Sequence, residues 1–167
     1  MNLHDLFAIP AGRTPDKTAI QFPVEAQSAA DEISYAQLHD AANRLAAGLQ
    51  EWGLQKGDRV AFYIGSRPEF VIAYLAVLRL GAIMVPINLR YRRLEIGHIL
   101  ADCTPRLLVT EHAHEAILSE IGDAKESIEA VVYAEELASW QQATDTLNAP
   151  IVEADDQCIQ CIGRLLP

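Results

Sequence analysis

Cysteine is scarce in this chain, and long apolar runs are missing. Three cysteines, at positions 103, 158 and 161, occur among 167 residues. An odd, sparse set beside a start (Met1-Asn2-Leu3-His4-Asp5) with no positive stretch and apolar run predicts no disulfide framework, no secretory leader and a cytoplasmic setting. The longest apolar stretch, Phe70 to Leu78, falls far short of the roughly 20 residues that a membrane span needs. Bases are also in deficit: 13 Lys and Arg against 23 Asp and Glu give a net charge of −10. From Glu111 to Asp156, Lys125 is the only Lys or Arg. Without a basic stripe, nucleic acid is not an expected partner. Arg90, Arg92 and Arg93 form a small cluster, read as a helix entrance and not as a phosphate track. The nine glycines stand singly, so no glycine-rich loop cradles an anion and no G-x-G-x-x-G follows an expected strand.

What is present is a globular pattern. Half the residues are apolar and 22% are charged, which predicts a buried core in one domain or a piece of one. Residues 1–17 read as a short helix and a turn around Gly12 and Pro15, and 18–22 as a strand. A polar loop and a short return at Ile33-Ser34 come next. Leu38, Ala41, Ala42, Leu45, Ala46, Leu49 and Trp52 then repeat at the helical period. Ser34 and Gln37 make a capping box before them, and Gly53 provides a left-handed stop.

The rest alternates. Arg59–Ile64 reads as a strand buried on both faces. A helix with Pro68 in its first turn and a second capping box from Ser66 and Glu69 runs to Gly81. Strand 83–85 leads to a helix at 92–102 with Leu94, Ile99 and Leu100 inward. Strand 106–110, a helix at 113–121, strand 128–133 and a weak helix at 134–147 complete the pattern. This order predicts an α/β fold, a mainly parallel sheet with flanking helices.

Ser34-Tyr35, Asn43-Arg44-Leu45-Ala46, Gly53, Gly57-Asp58-Arg59-Val60 and Pro68-Glu69 follow one another at a recognisable spacing. Leu75 through Ala82, Val85-Pro86-Ile87-Asn88, Glu95, Ile99-Leu100 and Asp102 continue it, and Arg13 through Ile20 precede it. This set resembles the AMP-forming acyl-CoA synthetases, the adenylate-forming family. The resemblance covers residues 1–156 and implies the N-terminal part of an AMP-binding domain. For the full-length family it implies ATP, Mg and CoA: a carboxylic acid (fatty, aromatic or short-chain) and ATP give an acyl-adenylate and pyrophosphate, and CoA then displaces AMP.

The resemblance also implies a Ser/Thr/Gly-rich phosphate loop ending in lysine shortly after an acidic pair. Here Asp155-Asp156 is followed by Gln157-Cys-Ile-Gln-Cys-Ile-Gly-Arg-Leu-Leu-Pro167. Residues 157–167 are therefore expected to be a divergent tail, from a reading-frame shift or a truncated gene. No catalytic, cofactor-binding or metal-ligating residue is assigned, no cofactor is expected for this chain alone, and the chain alone is expected to be inactive. Self-association through unfinished faces is expected. The alternative is a non-catalytic interaction or regulatory module on the same scaffold.

Other constellations carry bland readings. Cys158-x-x-Cys161 has the spacing of half a zinc site or a redox pair, but it lacks a second pair and its neighbours are not a redox turn at a helix start. His112 and His114, beside Glu111 and Glu115, read as solvated surface without a third ligand. His98 and Asp102 read as a surface pair, Cys103 as core, and Trp52 and Tyr74 as packing.

Overall fold

Helix α2 (Tyr35–Trp52) forms where its local chemistry dictates. Ser34 is extended; its Oγ accepts the Gln37 N–H at 3.2 Å, while Gln37 Oε1 accepts the Ser34 N–H at 2.8 Å. Gly53, at φ 110°, ends the helix and donates its N–H to the Leu49 and Gln50 carbonyls. Replacing Ser34 by alanine is expected to cost about 1 kcal/mol of stability in a urea titration. A change under a few tenths would mean that the reciprocal bonds do not hold the helix start.

The computed structural model describes residues 3–22, 31–142 and 147–160. Helix α1 (Leu3–Arg13) precedes the antiparallel pair β1 (Thr18–Phe22) and β2 (Asp31–Ser34). After α2 come β3 (Arg59–Tyr63), α3 (Pro68–Arg79), β4 (Ile83–Pro86), α4 (Arg93–Cys103), β5 (Leu107–Thr110), α5 (Glu115–Ser119) and β6 (Ala130–Tyr133). Strands β3 to β6 form one parallel sheet in the order β4-β3-β5-β6. The α/β parallel-sheet expectation holds.

Side-chain alternation along each strand feeds two cores. Val60, Phe62, Leu107 and Val109 meet Leu45 and Leu49 of α2 and Val77 of α3. Ala61, Tyr63, Val85 and Leu108 meet Ile96, Ile99 and Leu100 of α4 on the other face. Both faces are thus covered, which is why these strands read as unbroken apolar runs. The motif residues at strand entrances are structural. Gly57, at φ 86°, donates its N–H to the Gly81 carbonyl at 2.9 Å, and Asp58 accepts the Gln55 N–H at 2.9 Å. Asp58 also pairs with Arg106, which holds Glu129 and lies over the Trp52 ring.

Several boundaries differ from the sequence reading. Helix α1 continues through Pro10 and Gly12 to Arg13, so the turn falls at 14–17. The second capping box does not form: Arg67 is the N-cap residue, and its guanidinium binds Glu69 at 2.8 Å. Pro68 does open the helix. Leu94 is 68% exposed. The inward positions of α4 are Ile96, Ile99, Leu100 and Cys103, and Leu94, two residues before Ile96, falls on the opposite side. The helix expected at 113–121 divides into a 3-10 turn (His112–His114) and α5. The weak helix is a 3-10 turn over Ala134–Trp140, and its expected end partly lies outside the described residues. The Met84 N–H donates to the Cys158 carbonyl and the Gln160 N–H to the Met84 carbonyl, both at 2.9 Å. Ile159 thereby bridges the outer edge of β4 in parallel.

Candidate functional site

Ligands of open parallel sheets gather at the carboxyl ends of strands, where neighbouring loops leave toward opposite faces. Here that point lies between β3 and β5. The loop after β3 leads to α3 on one face, and the segment after β5 leads toward the α4 side of the sheet.

Three segments, after β3, β5 and β6, meet at this end of the sheet. Glu111, just past β5, accepts the Gly65 N–H on Oε1 at 2.5 Å and the Arg67 Nη1 on Oε2 at 3.3 Å. Arg67 also donates to Glu135 Oε1 at 2.8 Å, as well as to Glu69. A Cβ at Gly65 would stand 3.1 Å from Glu111 Oε1, so glycine permits the close approach of that carboxylate. The bond to Glu69 does most to raise the Arg67 pKa; burial opposes it and Glu135 adds to it. Burial pushes the Glu135 carboxyl up, but backbone amides, including that of His112, and Arg67 outweigh it and hold it below the usual range.

Beside this cluster, His112 lies between two carboxylates, Nδ1 to Glu115 at 2.7 Å and Nε2 to Glu136 at 3.1 Å. Its ring stacks on Tyr133, with centroids 4.1 Å apart and planes 14° from parallel. The Glu115 bond leads in raising its pKa, with slight burial opposing and Glu136 assisting. His114 turns inward instead. Its Nδ1 lies 3.1 Å from the Tyr63 carbonyl, which also accepts the Thr110 hydroxyl at 2.8 Å. It is half-buried, so the solvated-surface reading holds for His112 and fails for His114.

These groups fit neither a triphosphate nor a magnesium ion. Three carboxylates already bind the one arginine, and two more, Glu115 and Glu136, hold His112. A polyphosphate would meet net negative charge without a free donor array. Both oxygens of Glu111 and of Glu135 are engaged by N–H groups. Among the described residues, no group of three His, Cys, Asp or Glu is arranged to hold a metal ion.

The remaining sequence candidates fall elsewhere. Cys103 is buried, and burial pushes its thiol up to about 11 against the influence of Arg59, which suits an inert core residue. Cys158 is half-buried, and its carbonyl takes part in the bridge to β4; Cys161 lies outside the described residues. Trp52 packs edge-on against Trp140 at 6.3 Å, and Tyr74 stacks on Phe70 at 6.3 Å. The Arg67 cluster was not visible in the sequence, because its members lie 44 and 68 residues apart. Only the parallel topology brings them to one end of the sheet.

Comparison with known proteins agrees with this architecture. The family model for AMP-binding enzymes matches residues 7–160. A crotonobetaine/carnitine–CoA ligase of Salmonella heidelberg is 31% identical over 169 aligned residues, covering 93% of this chain and 32% of the relative. The N-terminal subdomain of NpsA from Klebsiella oxytoca, solved with 3-hydroxybenzoyl-AMSN, superposes with a TM-score of 0.78 at 30% identity, over 95% of this chain and 36% of that one. The N-terminal domain of FACL13 from Mycobacterium tuberculosis gives 0.81 at 27% identity, over 95% and 41%. The chain spans about a third of the length of the curated relatives it matches. On the ordered motifs, the parallel sheet and these matches, the chain belongs to the AMP-binding enzyme family and corresponds to the N-terminal region of an AMP-forming acyl-CoA synthetase.

Proposed function

We propose that residues 1–156 are the N-terminal scaffold of a carboxylate–CoA ligase and that the 167-residue polypeptide does not adenylate by itself. The observation that carries this reading is the charge of the Arg67 cluster at the end of the sheet. Adenylation brings a carboxylate up to a triphosphate, so the site must supply donors and cations where negative charge builds. The cluster supplies carboxylates, and its one arginine is spent on them. Residues 65–69 and 111–114 then serve to fix loop geometry at the sheet's end, a structural contribution to a larger active site. Exposed Leu94 and Ile151 support self-association of the isolated polypeptide.

The test is carboxylate-dependent exchange of labelled pyrophosphate into ATP by the purified polypeptide, with panels of short-chain, aromatic and fatty acids. Exchange at the level of a no-protein blank is expected throughout. Exchange above the blank with any acid, retained after a further purification step, would overturn the reading.

A further inference from the structure

We propose that a trough over β5 and β6 binds a small amphiphile with a cationic head and an apolar body. The trough lies on the α4 face of the sheet, toward the β6 side. It is thus at the opposite side of the sheet from β4, the strand that Ile159 bridges. Its volume is about 800 Å³, inside the range of roughly 300–1,000 Å³ that small-molecule sites occupy. Leu100 and Leu108 line it from the core, and Leu118, Ile121, Ile128 and Val131 are half-buried along it.

The trough is open because its cover is short. Five-residue α5 and a four-residue 3-10 turn (Gly122–Lys125) stand where a full helix would close the sheet face. The cover is nonetheless seated. A Cβ on Gly97 of α4 would lie 3.5 Å from Ile121 and 3.6 Å from Ala124, so helix and turn already approach closely.

The mouth selects the head group. Glu115, Asp123 and Glu126 border the trough with Lys125 as the one base, and all four are exposed. Glu115 is paired with His112, which leaves Asp123 and Glu126 against Lys125, and that net negative charge repels a fatty carboxylate and attracts a cation. Tyr133 also lines the trough, and an aromatic ring is a preferred neighbour for an alkylammonium group. Because His112 stacks on Tyr133, the ring presents its remaining face and edge. The apolar walls make no demand beyond a flexible alkyl body. The trough shares Glu115 and Tyr133 with the His112 cluster at the end of the sheet, and its alkylammonium binding is read independently of pyrophosphate exchange.

Calorimetry of the full polypeptide with decyltrimethylammonium and with decanesulfonate, both below their micelle concentrations, tests the proposal. The cation is expected to bind at least about tenfold more tightly, from two or three weak exposed attractions acting together. Val131→Phe, which fills the trough, is expected to lose that binding. The double variant Glu115→Gln/Glu126→Gln, which leaves the trough apolar, is expected to bring the two probes to about equal affinity. Equal binding of both probes to the parent chain, binding of neither, or undiminished binding by a folded Val131→Phe variant would overturn the proposal. If Val131→Phe fails to fold, the probe ratio in the double variant decides. A basic amphipathic lysine–leucine peptide is the third probe; binding of the peptide without binding of the alkylammonium would assign the face to a protein partner and equally overturn it.

Discussion

Replacing Gly48 by alanine is expected to destabilise the fold by about 2 kcal/mol or more, although alanine normally improves a helix interior by about 1 kcal/mol. Gly48 is buried in α2 and faces the end of the 3-10 turn Ala134–Trp140. A Cβ there would fall 1.6 Å from the Trp140 carbonyl oxygen and 2.8 Å from its carbon. The obstacle is backbone, so no rotamer change relieves it. The turn must move, and it is pinned on both sides. The Gln142 N–H donates to the Arg44 carbonyl at 3.0 Å, and Trp140 packs edge-on against Trp52. Losing one such hydrogen bond costs about 1 kcal/mol, loosening an aromatic pair about another, and forced overpacking about 1–3. Their sum exceeds the propensity gain. Gly12→Ala is the control. It lies in α1, its Cβ would meet nothing within 4 Å, and it is expected to be neutral or stabilising. Urea titration of both variants settles the matter. A Gly48→Ala protein as stable as its parent would mean that the turn does not rest on α2.

Much of this fold is legible in the sequence where the determinants are local. The Ser34–Gln37 box, the Gly53 stop and the apolar runs of β3 and β5 lie within a few residues of what they control. The family motifs were legible for the same reason. Gly53, Gly57-Asp58 and Gly81 solve backbone problems at helix ends and strand entrances. What was illegible depends on distant partners. Gly48 looks like any isolated glycine until Trp140 arrives from 92 positions later. Arg67 and Glu69 read as the start of a helix, and nothing nearby announces Glu111 or Glu135. Ser66 lost its capping role because Arg67 took the cap position and its guanidinium recruited Glu69. Leu94 is apolar and so reads as inward, whereas the phase of α4 is set by Ile96, Ile99, Leu100 and Cys103.

The burial of His4 was equally invisible, and it leads to a large pH effect. His4 is 7% exposed, in α1, with its ring 6.3 Å from that of His39 in α2. Burial, then Arg79 and His39, lower its pKa to about 4, with Asp5 opposing. His39 is lowered in the same way, by burial first and then Arg79. The unfolded chain titrates at the ordinary histidine value near 6.5. Protons therefore bind the unfolded state more tightly. The stability contribution is complete above pH 6.5 and is lost as pH falls from 6.5 toward 4, below which the loss levels off. A shift from 6.5 to about 4 corresponds to roughly 3 kcal/mol. His112 works in the opposite sense. Its folded pKa is raised, so its contribution is present below 6.5 and lost above it. The lowered carboxylates Glu129, Glu135 and Asp156 act only as pH drops below their ordinary range. The interval from pH 6.5 to 5 thus isolates His4 and His39. Helix α1 packs through Phe7, 5.9 Å from the Tyr35 ring and 6.1 Å from His39, and it is expected to undock ahead of the rest of the fold. The loss is then capped at the docking free energy of α1 and appears first as fast amide exchange in residues 3–13. Hydrogen exchange at pH 6.5 and 5, corrected for intrinsic rates, is expected to show that opening in the parent chain, and His4→Leu is expected to suppress most of it. If α1 protection were the same at both pH values in the parent, His4 would not be held neutral in a buried seat.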